Sequence, residues 1–392
     1  MISIERLKIG NGELIHMDNI SAMDIFENNY FDSCISDFPY DLAFMNKIWD
    51  KYENFYEWNI LRAKKLLRII KPGGYVLIFG HHKTNHRMKC AFEDVGFKIV
   101  EEIVWVYGSG FPKNQDISKM FNKKDLNDLA EKWNGWKTSG LKPAKEIITV
   151  FQKPLEGSYI DNIKKYNCGC MNLDACRIPI SKEDIDMLQK KASKNPTNNY
   201  SSQINKIYGK FNEDRASQPN ELGRFPSNII FDNIMGTMLD KQSGIRPDGK
   251  SNNVLKGESG VLPSLRRGTL VPRNDIGGAS RFFLNIEKEL PFMYSPKATK
   301  KEKGDYCKHV TVKLKKLIKW LIKLTTPHNG KTIDITSGSG THGLCCEELN
   351  KEEKYNLSWV NIELLNTKEE PYIDIANKRI SDFINNQNHN KI

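Results

Sequence analysis

The sequence predicts an α/β protein whose strands are joined by crossover helices. Three observations carry that reading. Strand-like and helix-like patterns alternate through the first 110 residues, and the alternation resumes after residue 309. The 392-residue chain is 39% hydrophobic and 10% aromatic, enough to bury one large core or two moderate ones.

Taken in order, "FDSCISDF" is a short apolar run that reaches Asp37. "FYEWNILRAKKLLRII" has helical periodicity and is broken at "KPGG", where Pro and two Gly punctuate the chain. "YVLIFG" reads as a fully buried strand, "TNHRMKCAFEDVG" as a helix and "FKIVEEIVWVYG" as a further strand. From 111 to 308 the character changes. "GSGFPKNQDISK" and "KASKNPTNNYSSQINK" are rich in Gly, Asn, Lys and Ser, with strand-like "EIITVFQKP" and "SNIIFD" between them. This is an irregular, basic middle region, expected to be most mobile near 182–275.

After 309, "VKLKKLIKWLIKL" is a basic amphipathic helix ended by "TTPHNG". Such a helix fits a membrane surface or a packed core. Its place directly before a strand, a Gly loop and a helix favours packing. "KTIDI", a helix near 342–350, "LSWVNIE" and "YIDIANKRISDFI" complete the pattern.

The formal charge of +11, from 59 Lys and Arg against 48 Asp and Glu, suits a polyanion such as nucleic acid, although a lysine-rich composition bias gives the same excess. No run approaches the ~18–20 apolar residues of a membrane span, and "MISIERLKIGNGELIH" lacks the apolar centre of a signal peptide. A reducing, cytoplasmic setting with free thiols is expected for the eight scattered cysteines. Cys168, Cys170 and Cys176 lack a second pair or a nearby His, so no metal site is expected.

Two stretches carry chemistry. "ISDFPYDLAF" places Asp37-Phe38-Pro39-Tyr40 where a strand ends, either as an ordinary turn or as a substrate-binding one. "IDITSGSGTHG", residues 333–343, runs a strand into Gly338-Ser339-Gly340 and then a helix. Glycines there let the backbone approach a ligand, and the helix start offers amide donors. Glu363 ends the next strand, roughly 20 residues on, where an acid can meet ribose hydroxyls. Together these fit a nucleoside-bearing cofactor.

In this order the motifs resemble the beta-group DNA amino-methyltransferases, in which an Asp-Pro-Pro-Tyr motif comes first, target recognition second and the cofactor loop last. The likeness extends through "KPGGYVLIFG", "WVYGSGFPKNQDISK", "LKPAKEIITVFQKPLEG", "GGASRFF" and "HVTVKLKKLIKWLIKLTTP". The resemblance implies a Rossmann-like methyltransferase sheet with circularly permuted motif order. It divides the chain into a catalytic half (1–110), a target-recognition region (111–308) and a cofactor half (309–392). S-adenosylmethionine is the implied cofactor and double-stranded DNA the implied partner, with a homodimer by analogy.

The resemblance gives Asp37, Phe38, Pro39 and Tyr40 catalytic roles. Asp37 and the Phe38 carbonyl would hold the two amine hydrogens of a flipped base, and Tyr40 would stack on it. Asp334, Thr336, Gly338, Ser339, Gly340, Thr341 and Glu363 would hold the cofactor, helped by His309, Thr311 and Lys313. His81, His82 and His86 fall where relatives vary and are read as surface or packing residues.

The chain departs from the family's pattern at functional positions. Phe38 replaces the first proline, Ile335 and Thr336 replace Pro-Phe of the cofactor loop, and Val310 and Leu314 replace two prolines. Asp37, Tyr40, Gly338, Gly340 and Glu363 remain, which favours an active enzyme over a silenced DNA-binding relative. The Asp form of the motif leans toward N6 of adenine, with N4 of cytosine as the alternative.

Overall fold

The computed structural model describes residues 5–42, 50–108, 112, 114–180, 185, 222–244, 246–247, 276–286 and 312–388. Most of the stretch 182–275 therefore lies outside the described residues. The chain divides into two compact units. The larger is drawn from Met1–Asn172, Asn228–Ile234 and Ile286–Ile392, the smaller from Leu173–Ser227 and Met235–Asn285.

The larger unit opens with β1 (Glu5–Ile9), β2 (Gly12–His16), α1 (Asn19–Met23) and β3 (Phe31–Asp37). It continues through α2 (Phe55–Ile69), β4 (Ile70–Gly80), α3 (Asn85–Val95) and β5 (Lys98–Val106). Next come α4 (Ile117–Asn122), α5 (Asn127–Lys132), β6 (Lys145–Gln152), α6 (Tyr159–Tyr166) and β7 (Ile229–Asp232). The C-terminal part supplies α7 (Lys315–Thr325), β8 (Lys331–Asp334), α8 (Thr341–Glu352), β9 (Ser358–Glu363) and α9 (Tyr372–Asn388).

These strands lie in the order β1-β2-β9-β8-β3-β4-β6-β5-β7. The neighbours from β2 to β4 run parallel, as crossover helices require, and β6 is antiparallel to both β4 and β5. Strand β8 pairs with β3 through Thr332 opposite Ser33 and Ile333 opposite Cys34. The two motif-bearing ends of the chain are thus adjacent strands. Strand β6, read from the sequence as a piece of the middle region, is a central strand of this sheet.

Helix α2 forms because Ala63, Leu66 and Ile69 recur on one buried face and Asn54 caps its first turn, accepting from the Glu57 amide. It stops at Ile70, one residue before the "KPGG" break expected from the sequence. Lys71-Pro72-Gly73-Gly74 then form an irregularity inside β4, where the register jumps from Phe31–Ile70 to Ser33–Tyr75. Beyond it both faces of β4 are buried, as central strands demand. Val76 and Ile78 join Leu66, Phe92 and Phe151 in the main core, with Phe92 and Phe151 stacked at 4.4 Å.

The basic helix α7 buries Leu317, Ile318, Trp320, Leu321, Ile322 and Leu324. Its lysines pair with α8: Lys315 and Lys319 reach Glu348 at 2.7 and 2.6 Å, and Lys319 reaches Glu352 at 2.8 Å. Burial contributes about 1.5–3 kcal/mol for each large apolar side chain, against at most about 1 kcal/mol for each partly exposed ion pair. Packing therefore anchors the helix, and the lysines set which neighbour it meets. Among the described residues no helix is long and apolar enough to cross a membrane.

A further helix spans Asn233–Ser243, and in the smaller unit Arg246–Pro247 pairs antiparallel with Ile276–Gly277. Asp240 accepts from the Ser280 amide and hydroxyl at 2.7 and 2.6 Å, which fixes the "GGAS" turn against that helix.

Candidate active site

Strand β3 is buried along its length until Asp37, which stands at its carboxyl end beside Phe79 of β4. Parallel sheets open toward ligands at that end. The chain then turns. The Phe38 ring inserts into the core, edge-on to Trp58 at 5.4 Å and 6.3 Å from Phe92. This packing anchors the turn at the position of the family pattern's first proline.

The turn is held from within by Asp50, a residue that no local sequence pattern singles out. Its Oδ1 accepts from the Tyr40 and Asp41 amides at 2.6 and 2.9 Å, and Oδ2 accepts from Leu42 at 3.2 Å. Asp41 adopts φ +56°, a left-handed conformation that Asp tolerates, and accepts from the Tyr52 amide at 2.9 Å. Thr84 donates to the Tyr40 carbonyl at 2.8 Å. His81 sits beside the Tyr40 ring, with centroids 5.9 Å apart.

Around Asp37 three polar side chains converge. Lys313 Nζ lies 2.7 Å from Asp37 Oδ2, 2.7 Å from Glu146 Oε1 and 3.2 Å from the Tyr40 hydroxyl. The Tyr40 hydroxyl is 2.8 Å from Asp37 Oδ1 and also contacts Glu146 Oε1. With one proton to give, it satisfies one carboxylate at a time, and the ammonium serves the other. Glu146, the second residue of strand β6, is not legible in the sequence as a site residue. Its only sequence signal is a lone acid entering "IITVF".

Burial pushes the Asp37 carboxyl above its ordinary value, although Lys313 pulls the other way. Burial and then the two carboxylates hold the Tyr40 phenol well up, so it stays a donor. Burial alone would discharge Lys313, but Asp37 and Glu146 outweigh it and keep the ammonium. The cluster is a carboxylate acceptor, an aromatic face and a fixed cation in one corner.

Next to it, β8 ends at Asp334 and leads into the glycine loop. Asp334 Oδ1 accepts from Ser36 Oγ at 2.7 Å and the Thr336 amide at 3.1 Å, and burial raises its pKa to about 7. Glu363 ends β9, and its two oxygens accept from the Gly338 and Leu365 amides at 2.7 and 2.9 Å. Gly338 and Gly340 have φ +51° and +72°, and a Cβ on Gly340 would meet Ala376 Cβ at 2.7 Å. Ser339 and Thr341 are engaged by Arg379 of α9, which donates to Ser339 O, Ser339 Oγ and Thr341 Oγ1 at 2.7, 2.9 and 3.0 Å. The Ser337 hydroxyl, in contrast, is buried at the loop without a hydrogen-bond partner. A small loop, an orphaned hydroxyl and an acid at the neighbouring strand end fit a nucleoside-bearing cofactor.

The sequence-derived residues thus fall into two adjacent groups. Asp37 and Tyr40 join Lys313; Asp334, Thr336, Gly338 and Gly340 belong to the glycine loop, with Glu363 at the end of β9 beside it. His309 and Thr311 lie outside the described residues.

Behind the loop, His342 is buried. With the Asn361 amide turned to donate to Nδ1 at 2.8 Å, Nε2–H donates to Thr332 Oγ1 at 3.0 Å. Burial lowers its pKa to about 4. The folded value lies below the unfolded one, so the stability it contributes is full above pH ~6.5 and falls as pH drops toward 4. Asp334, raised to about 7, acts in the opposite sense: its contribution is full at low pH and is lost as pH rises through 7. The stability advantage of the parent over His342→Gln should therefore shrink by on the order of 3 kcal/mol between pH 7 and pH 4. Urea titrations of both proteins at the two pH values check this, and a pH-independent difference would contradict it.

A family model described as DNA methylase, of the N6/N4 type, matches residues 31–378. The chain belongs to the DNA methylase family. Type II methyltransferase M.HindIII of Haemophilus influenzae is 31% identical to this methylase over 122 residues, 31% of this chain and 40% of that protein. The match thus spans less than half of that relative's length. Among solved structures, the M1.HpyAVI–SAM complex is similar with 15% identity and a TM-score of 0.40, covering 94% of this chain and 99% of that one. The PvuII DNA methyltransferase, cytosine-N4-specific, has 14% identity and a TM-score of 0.42, with 95% and 94% covered.

Proposed function

We propose that this methylase transfers the methyl group of S-adenosylmethionine to the exocyclic N6 of an adenine flipped out of duplex DNA. The observation that carries the reading is Asp37, at the carboxyl end of β3, one strand away from a glycine loop with an orphaned Ser337 hydroxyl. When bound, S-adenosylmethionine supplies an electrophilic methyl group. Gly338, Ser337 and Glu363 would hold it, and the chain's remaining work is to prepare the amine.

The exocyclic nitrogen is a poor nucleophile because its lone pair is delocalised into the ring. A duplex also hides it, and extrusion costs a few kcal/mol. Asp37 accepts one amine hydrogen and the Phe38 carbonyl the other, which turns the lone pair outward. Tyr40 offers its face to the extruded base. Accepting a methyl group would leave the amine nitrogen cationic. The proton it would then lose is the one directed at Asp37. Positioning supplies much of the rate and aligned acceptors in a dry corner supply the rest. Lysines and arginines of the middle region would grip phosphates, giving binding a steep salt dependence.

Adenine is preferred to cytosine because the motif carries Asp rather than Ser. The test is transfer of labelled methyl from S-adenosylmethionine to mixed-sequence duplex DNA, followed by digestion to nucleosides. Label in N6-methyladenosine is the expected result. Label in N4-methylcytidine would keep the chemistry and change the base, and no label in DNA would overturn the reading.

A further inference from the structure

Two of the positions at which this chain departs from its family's pattern meet in space. Phe38 stands where a proline is usual, and Thr336 where a phenylalanine is usual. Proline at 38 would restrict the preceding residue to extended conformations and so fix the direction of the Asp37 carbonyl. Phe38 removes that restraint. Its ring is held by Trp58, but the peptide between Asp37 and Phe38 needs a hold of its own.

Thr336 supplies one. Its Oγ1 lies 3.0 Å from the Asp37 carbonyl oxygen and 2.7 Å from Ser36 Oγ. Ser36 spends its proton on Asp334 Oδ1 at 2.7 Å, so the Thr336 hydroxyl is the donor toward Asp37. The Thr336 amide is itself fixed on Asp334 at 3.1 Å, so the donor is mounted on a braced loop. A phenylalanine at 336 would have no donor to offer.

We infer that Thr336 is a positioning residue whose hydroxyl orients the Asp37–Phe38 peptide, replacing by a hydrogen bond the restraint that proline gives covalently. The inference rests on the proposed function for its kinetic meaning. Asp37 carries one acceptor for the amine on its side chain, and the next carbonyl along the chain carries the other. Rotating the peptide between them misplaces both.

The experiment compares Thr336→Val, which keeps the shape and loses the donor, with Thr336→Ser, which keeps the donor. Methyl transfer to duplex DNA gives kcat and KM, calorimetry gives S-adenosylmethionine affinity, and hydrogen exchange follows the peptide covering residues 36–42. Thr336→Val should lose about tenfold in kcat, since small misplacements of reacting groups cost up to about 10²-fold. Its cofactor affinity should stay within threefold of the parent, and amide exchange in 38–42 should quicken. Thr336→Ser should recover at least half of the lost rate and the slow exchange. A Thr336→Val protein with parental kcat and parental exchange would overturn the inference. So would a loss explained entirely by cofactor affinity, or a serine variant as impaired as the valine one. An inactive parent would sink the functional reading alone, and the exchange comparison would still decide the role of Thr336.

Discussion

Asp37→Ala should lower methyl transfer to DNA by about 10²–10⁴-fold, the range for removing a positioned proton acceptor. The geometry makes this a clean test. Lys313 keeps its 2.7 Å contact with Glu146, and the Tyr40 hydroxyl keeps Glu146 as acceptor. No buried charge is left without a partner, so the fold and the glycine loop should persist. Single-turnover transfer of labelled methyl, with thermal unfolding and cofactor affinity measured alongside, checks the result. Asp37→Asn should be nearly as impaired, because an amide fills the space and cannot take up a proton. A variant within tenfold of the parent, folded and binding cofactor, would remove Asp37 from the chemistry.

Lys313→Met should be the most damaging change to stability at the site. Lys313 is 11% exposed and is the cation between Asp37 and Glu146. Its removal leaves two carboxylates facing each other in a largely buried corner, and breaking such a pair costs about 3–5 kcal/mol. The sign of the pH dependence follows. Burial already raises the Asp37 pKa and Lys313 opposes the rise. Without the ammonium, the folded value climbs further above the unfolded ~3.9. The variant therefore recovers stability as pH falls through that raised value and loses it as pH rises. Its deficit relative to the parent should be larger at pH 8 than at pH 5. Denaturant titrations at both values measure this, and a deficit independent of pH would show that the ammonium does not balance Asp37.

Much of this architecture is readable in the sequence because its parts have local causes. The period of α2, the buried run of β4, and the strand, glycines and helix at 333–350 each follow from neighbouring residues. Asp37 is legible for the same reason, since its strand and turn are contiguous. Glu146 is not, because its role depends on β6 lying antiparallel to β4, a pairing that no local pattern encodes. Asp50 is hidden likewise: it serves the amides of residues 40–42 from the far side of the intervening segment. The hairpin β1–β2 escapes notice because "ERLKI" and "GELIH" are five residues each, too short for a strong alternation. Lys313 was legible as a member of the site, but its contact with Asp37 rather than with the loop is a matter of side-chain reach.

The pairing of β8 with β3 also sets the order in which the molecule can be made. Ser33 and its partner Thr332 are 299 residues apart. At a synthesis rate of about 5–20 residues per second, β3 waits roughly 15–60 s on the ribosome for the strand that covers one of its edges. During that interval the edge of β3 that β8 will cover, at Ser33 and Cys34, has no strand to pair with. Contacts this distant in the chain close slowly even in the released protein. The same adjacency that brings the two motifs together therefore leaves one edge of a central strand open until synthesis is nearly complete.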